Sequence, residues 1–349
     1  MNAQIVLLLA QDGLTNGAIY ALLALSILLV FTVTRVLFIP QGEFAAYSAL
    51  TMAAIQAGKP AALVWLLMAF ALCEALADLW TIYKRAGRVR VSVLWLCKLA
   101  YPFALAALFH LLPLASLPMA VQALLTLALV VPMGPQIYRL FYQPIATASP
   151  LVLLIVSIAL HLALQGLGLL AFGADGGRTT PFVDATLSLG STLRINGQAA
   201  CVVLVSILLI VALYLFFGRT MYGKALRAVA YNRVGARLMG ISPTFAGKIT
   251  FFFAALVGAV SGLLIAPITT LYFDSGFLLG LKGFVGAIIG GLVSYPAAAA
   301  GSLLVGLIES FSSFYASAYK GVIVFTLIIP VLLWRSLKSR HVEEEEEQA

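Results

Sequence analysis

The chain has 349 residues, of which 62% are hydrophobic and only 10% charged, against about 25% charged in an ordinary soluble domain. Five of its 13 acidic residues form one terminal run, Glu343–Glu347, which leaves few for everything before it, while the basic residues give a net charge of +8. So few charges cannot cover a water-soluble globule, which excludes a soluble enzyme, a disordered chain and a nucleic-acid-binding domain and leaves an all-α, polytopic membrane helix bundle.

A helix needs about 20 apolar residues to cross the hydrocarbon core. In chain order, runs of that kind fall near 13–34, 41–57, 61–82, 91–112, 114–134, 150–172, 197–217, 246–270, 278–295, 297–315 and 320–335. They predict about 11 spans, within a range of about 9–13. The first has no basic stretch ahead of Leu7-Leu8-Leu9, so it reads as a retained span and not a cleaved signal. The second is short and opens on Pro40 and Gly42, which allows a re-entrant segment. Residues 336–349 form a charged tail. Cys73, Cys97 and Cys201 sit inside apolar runs and read as small buried hydrophobes.

Lys and Arg in the loops set the orientation. With 218–245 cytoplasmic, most of the 21 basic residues share that side. Lys59, Arg178, Arg194, Lys282 and Lys320 lie opposite, and Lys98 lies within a span. The N-terminus is then outside and the C-terminus inside. Trp80, Trp95 and Trp334 fall near inner span ends and Trp65 near an outer one, the headgroup level that indole prefers.

Charges within spans are the candidate sites, since each costs roughly 2.5–3.5 kcal/mol at the helix centre on insertion scales. Glu74 and Asp78 stand one turn apart on one face, and Lys98 returns to their depth on the next span. The trio reads as a structural ion pair holding a hairpin, with a proton or cation relay as the alternative. Glu43 beside Gly42 is either a helix-start carboxylate or a gate. Glu309, among Ser310, Ser312 and Ser313, is the other pathway candidate, and Asp274 reads as an outer turn residue. His110 and His161 lack any metal-ligand spacing, so no metal site is expected. Ser242–Ile249 lacks the first glycine and the final Ser/Thr of a phosphate loop, so no cofactor is expected and ATP is not bound by this chain. Gly258/Gly262, Gly276/Gly280 and Gly286/Gly290 are spaced for close helix packing, with Gly283 and Gly291 beside the last pair.

The segment Gly218–Ile241 is too polar to span. Leu226, Ala230, Val234, Leu238 and Ile241 predict one short helix with an apolar row, flanked by Arg227 and Arg237 and ended by Gly240 and Pro243. Such a helix rests on the headgroup layer or on a partner.

This segment, from Gly223-Lys-Ala-Leu-Arg-Ala228 through Ala236-Arg-Leu-Met-Gly-Ile241, resembles the cytoplasmic coupling loop of branched-chain amino acid ABC-transporter permeases. The likeness extends to Gly13-Leu-Thr-Asn-Gly-Ala-Ile-Tyr20, Gln41-Gly-Glu-Phe44, Tyr142-Gln-Pro144, Gly283-Phe-Val-Gly-Ala-Ile-Ile-Gly-Gly291 and Gly306-Leu-Ile-Glu-Ser310. The resemblance implies a bacterial inner-membrane subunit forming half of a translocation pathway for branched-chain or related apolar amino acids. It implies as partners two ATP-hydrolysing subunits, a second homologous permease, a periplasmic solute-binding protein and the lipid bilayer. It also implies that Gly223, Ala225, Leu226, Arg227, Ala228, Ala230, Ala236, Leu238, Gly240 and Ile241 couple to the ATPase. Gln41 stands where that family's His-Gly-Glu pattern has histidine, Tyr231-Asn232 stands where an acidic pair is common, and residues 61–113 look like an inserted helical hairpin. Two rival functions stay open: the same kind of permease for urea, short amides or aromatic acids, and a proton-coupled secondary transporter using Glu74, Asp78 and Glu309.

Overall fold

The computed structural model describes residues 3–86, 93–189, 193–334 and 337. The helices, in chain order, are α1 (Ala3–Thr34), α2 (Gln41–Gln56), α3 (Leu63–Ala86), α4 (Val93–Leu111), α5 (Met119–Val130), α6 (Met133–Ile137) and α7 (Pro150–Phe172). A β-hairpin follows, β1 (Thr186–Leu189) and β2 (Leu193–Asn196). Then come α8 (Gly197–Arg219), α9 (Met221–Tyr231), α10 (Arg233–Leu238), α11 (Pro243–Ile265), α12 (Ser275–Ile289), α13 (Tyr295–Tyr315) and α14 (Lys320–Thr326). Among the described residues, eight helical stretches are long and apolar enough to cross a membrane, and Leu99–Leu111 and Ser275–Ile289 are shorter apolar helices. The chain is a polytopic helical bundle. The second predicted run, α2, has 16 residues, nearly all of them buried.

Local chemistry sets the helix starts. Ser149, Asn196, Thr220, Asn232, Ser242 and Ser294 each accept a backbone N–H of the turn they open, and a proline follows within two residues at α7, α11 and α13. Pro132 and Pro135 interrupt the run that begins with α5, and the chain passes through α6 into a π-turn at Tyr138–Tyr142.

The hairpin lies outside the predicted helices. β1 and β2 pair antiparallel, Thr186 opposite Asn196, and the alternation Thr-Leu-Ser-Leu before Gly190 is a short period-two signal, weak beside the long apolar runs.

Around α1 pack α13, α11, α12 and α8. Small residues let the backbones approach. A Cβ on Gly306 would meet Gly13 and Gly17 of α1, one on Gly42 would meet the Gly276 carbonyl of α12, and one on Gly262 would meet the Ala45 carbonyl of α2. Gly258, Gly280, Gly283, Gly286 and Gly290 likewise face neighbouring helices, whereas Gly291 serves a turn with φ of 68°. Hydroxyls reinforce the seams: Ser48 donates to the Ala259 carbonyl at 2.7 Å and Ser310 to the Leu9 carbonyl at 2.7 Å.

The 61–113 segment forms α3 and α4, which pack on each other, and α3 also meets α5, α6 and α7. Trp65, Trp80 and Trp334 are exposed, while the Trp95 side chain lies outside the described residues. Cys73, expected to be buried, is exposed on α3, because the outward face of a membrane helix is as apolar as its interior. Cys201 is half-buried, and the Cys97 side chain lies outside the described residues, as does most of the 336–349 tail.

Candidate functional site

A polar cavity of about 670 Å³ is bounded by the first half of α1, the start of α8, the α11–α12 connection and the second half of α13. Its chemistry centres on three side chains from three helices. Lys282 of α12 donates to Glu309 Oε1 of α13 and, at 3.1 Å, to the Tyr20 hydroxyl of α1; Tyr20 in turn donates to Glu309 Oε2 at 2.7 Å. Both ions are largely buried, and such charges persist at depth only when paired. Glu309 thus both lines this cavity and is hydrogen-bonded between helices. Lys282 departs from expectation. It was placed with the outer span ends, but it sits at the middle of α12 and faces inward to its counter-ion. Asp12, Thr15, Asn16 and Lys320 add polar groups to the same lining.

Glu43 is buried elsewhere and does not line this cavity. It occupies the first turn of α2, where the N-terminal dipole favours a carboxylate. Its Oε1 lies 3.0 Å from Nδ1 of His161 on α7, and the imidazole stacks on Phe277 of α12 with ring centroids 4.7 Å apart. Residue spacing alone had left His161 without a partner. Gln41, two residues earlier in the same turn, donates to the Ala254 carbonyl at 2.8 Å and so ties α2 to α11. No cluster of three metal-ligating side chains occurs among the described residues.

The Glu74/Asp78/Lys98 trio is seen from its acidic side, since the Lys98 side chain lies outside the described residues. Asp78 accepts two bonds from Arg139, at 2.7 and 2.9 Å, and Glu74 lies 3.5 Å from Lys248. These contacts fasten α3 to the π-turn and to α11, beyond the hairpin itself. They also give Lys248 of the degenerate phosphate-loop sequence a structural partner, while Ser242 of that sequence caps α11.

The loop helix differs from the single helix expected. Asn232 leaves helical geometry (φ −148°, ψ 104°), and its side chain accepts the Gly235 N–H at 2.9 Å, which ends α9 and starts α10. The break rotates the apolar row apart. Leu226, Val229 and Ala236 are buried against Leu29 and Val33 of α1 and Ala246 of α11. Val234, Leu238 and Met239 are instead 72%, 83% and 82% exposed. Gly223 is pressed against the Phe216 carbonyl, Ala228, Ala230 and Ile241 pack on the buried cluster, and Ala225 is half-buried. Arg227, Leu238 and Gly240 face outward, and Gly240 turns the chain with φ of 80°, a conformation glycine adopts without strain. Arg233, unremarked in the sequence, staples the module down: it donates to the Val33 carbonyl at 3.0 Å and to the Ala146 carbonyl at 3.3 Å. Burial lowers its pKa, Tyr138 opposing and Arg35 adding to the fall, yet a guanidinium starts high enough to stay charged.

Residues 9–332 match the family described as branched-chain amino acid transport system / permease component. The chain belongs to this family. It is 32% identical over 208 residues to the high-affinity branched-chain amino acid transport system permease protein LivH of Escherichia coli K12, covering 57% of this chain and 67% of that one. The LivH protein of Salmonella typhimurium matches to the same extent. The permease protein BraD of Pseudomonas aeruginosa is 29% identical over 241 residues, covering 67% of this chain and 78% of BraD. No solved structure matches the permease.

Proposed function

We propose that this permease is a membrane-spanning subunit of a bacterial inner-membrane ABC importer and forms half of the pathway for branched-chain or related apolar amino acids. The chain binds no cofactor of its own. ATP is hydrolysed by two partner ATPases, a second homologous permease completes the pathway, and a periplasmic binding protein delivers substrate. The observation that carries the reading is the α9–α10 module, one face of which is buried on α1 and α11 while the other exposes Tyr231, Val234, Leu238 and Met239. Apolar side chains exposed on a helix pair beside the bundle suit a protein partner, and the relatives' names supply the kind of transport system. Movement of a docked ATPase would reach α1 through Arg233 and the Leu226–Val229 contacts. Such a push shifts the bundle only if the module docks differently in its two states.

Uptake of labelled leucine and labelled urea by a strain lacking the gene, with and without the gene restored, tests the substrate class. Restored leucine uptake is expected. Restored urea uptake with no leucine uptake would overturn it and leave the architecture standing.

A further inference from the structure

The Tyr20–Lys282–Glu309 cluster does not exhaust its own hydrogen-bonding capacity. A lysine ammonium carries three donors; among the described residues, one goes to Glu309 and one to Tyr20. The Tyr20 proton goes to the second Glu309 oxygen, so both carboxylate oxygens are engaged. What remains is one donor on a largely buried cation that lines the cavity. Around it the charges balance, Asp12 and Glu309 against Lys282 and Lys320. A neutral cavity holding both signs disfavours a net anion or cation and suits a molecule that carries one of each. Ile265, Ile268 and Leu279 add apolar wall beside the charges.

Building on the proposed function, we infer that this cavity is a binding site for zwitterionic α-amino acids within the permease itself. The substrate carboxylate takes the uncommitted Lys282 donor, its ammonium faces Asp12, and its apolar side chain lies along the Ile265–Leu279 wall. Glu309 and Tyr20 are positioning residues that hold the Lys282 ammonium at the cavity surface. An uncharged amide offers Lys282 only a neutral acceptor, without the Coulombic attraction that a carboxylate adds to the hydrogen bond.

The test uses the transporter purified with its native membrane and ATPase partners, in the absence of the binding protein. Labelled L-leucine binding is measured with leucinamide, 4-methylpentanoate and unlabelled leucine as competitors. Unlabelled leucine is expected to compete, and the two analogues, each lacking one charge, to compete roughly tenfold less well or worse. The decisive variant is the double substitution Lys282→Met with Glu309→Leu, which removes both charges and leaves neither buried alone. It is expected to assemble at wild-type levels and to lose leucine affinity by roughly tenfold or more. A double variant that binds leucine within about twofold of wild type, or leucinamide competing as well as leucine, overturns the site. Cells that take up urea and no leucine overturn the proposed function and the site with it. Cells that take up leucine normally with the double variant overturn the site alone.

Discussion

Gly42 and Gly166 both lie in helices, yet they predict opposite outcomes when replaced by alanine. A Cβ on Gly42 would run into the Gly276 carbonyl, where the backbones of α2 and α12 meet, whereas one on Gly166 meets nothing within 4 Å. Gly166→Ala should therefore leave the melting temperature in detergent unchanged or raise it, since alanine is favoured over glycine in a helix by about 1 kcal/mol. Gly42→Ala should lower the melting temperature by several degrees or abolish accumulation, because two backbones cannot both give way. Equal melting temperatures for the two variants would contradict this packing. Residues of this kind were partly legible in the sequence. An acid inside an apolar run is conspicuous, so Glu43, Glu74, Asp78 and Glu309 stood out. Their partners His161, Lys248, Arg139 and Lys282 did not, since each pair is made by helices brought together only in the fold. Lys282 was misplaced for a related reason. A basic residue close to loops looks like a topology signal until its counter-ion is seen.

At the scale of elements, α9 and α10 show how far periodicity reaches. Spacings of four from Leu226 through Leu238 describe a continuous helix, and nothing in that pattern records that the Asn232 side chain satisfies the Gly235 N–H and breaks it. The break separates residues that hold the module to the bundle from residues that remain outside it. Arg227 belongs to the second group, its one hydrogen bond among the described residues a 3.5 Å contact to the Gly218 carbonyl. Arg227→Ala should thus abolish or strongly reduce leucine uptake with membrane insertion and melting temperature unchanged. Gly240→Ala should do the same while adding roughly 1–2 kcal/mol of local strain at its left-handed turn, read as faster hydrogen exchange over 233–241. Unchanged uptake in both would return the module to a helix pair merely resting at the membrane surface. The β1–β2 hairpin escaped sequence reading because eight short-period residues weigh little beside runs of twenty apolar ones.

For the whole molecule, the bundle class followed from composition, and every predicted apolar run carries a helix in the described residues. Which helices sit at the centre was not legible, because hydropathy is nearly the same for helices facing lipid and helices facing protein. Among the described candidate spans Gly197–Arg219 has the highest hydropathy, yet only 11% of its 18-residue apolar stretch is buried, whereas 89% of the corresponding stretch within Gln4–Thr34 is buried. Small residues decide that difference, placing α1 with α13 and α12 around a charged cavity at one end of α1, while the α9–α10 module packs against Leu29 and Val33 near its other end. The proposed function requires this bundle to be driven from outside itself, through the outward-facing apolar module. Leucine accumulation in proteoliposomes tests this most directly, comparing the permease alone under an imposed pH gradient with the assembly of permeases, ATPases and binding protein supplied with ATP. ATP-dependent accumulation by the assembly and none by the permease alone is the predicted result; accumulation by the permease alone, driven by the pH gradient and indifferent to ATP, would contradict it.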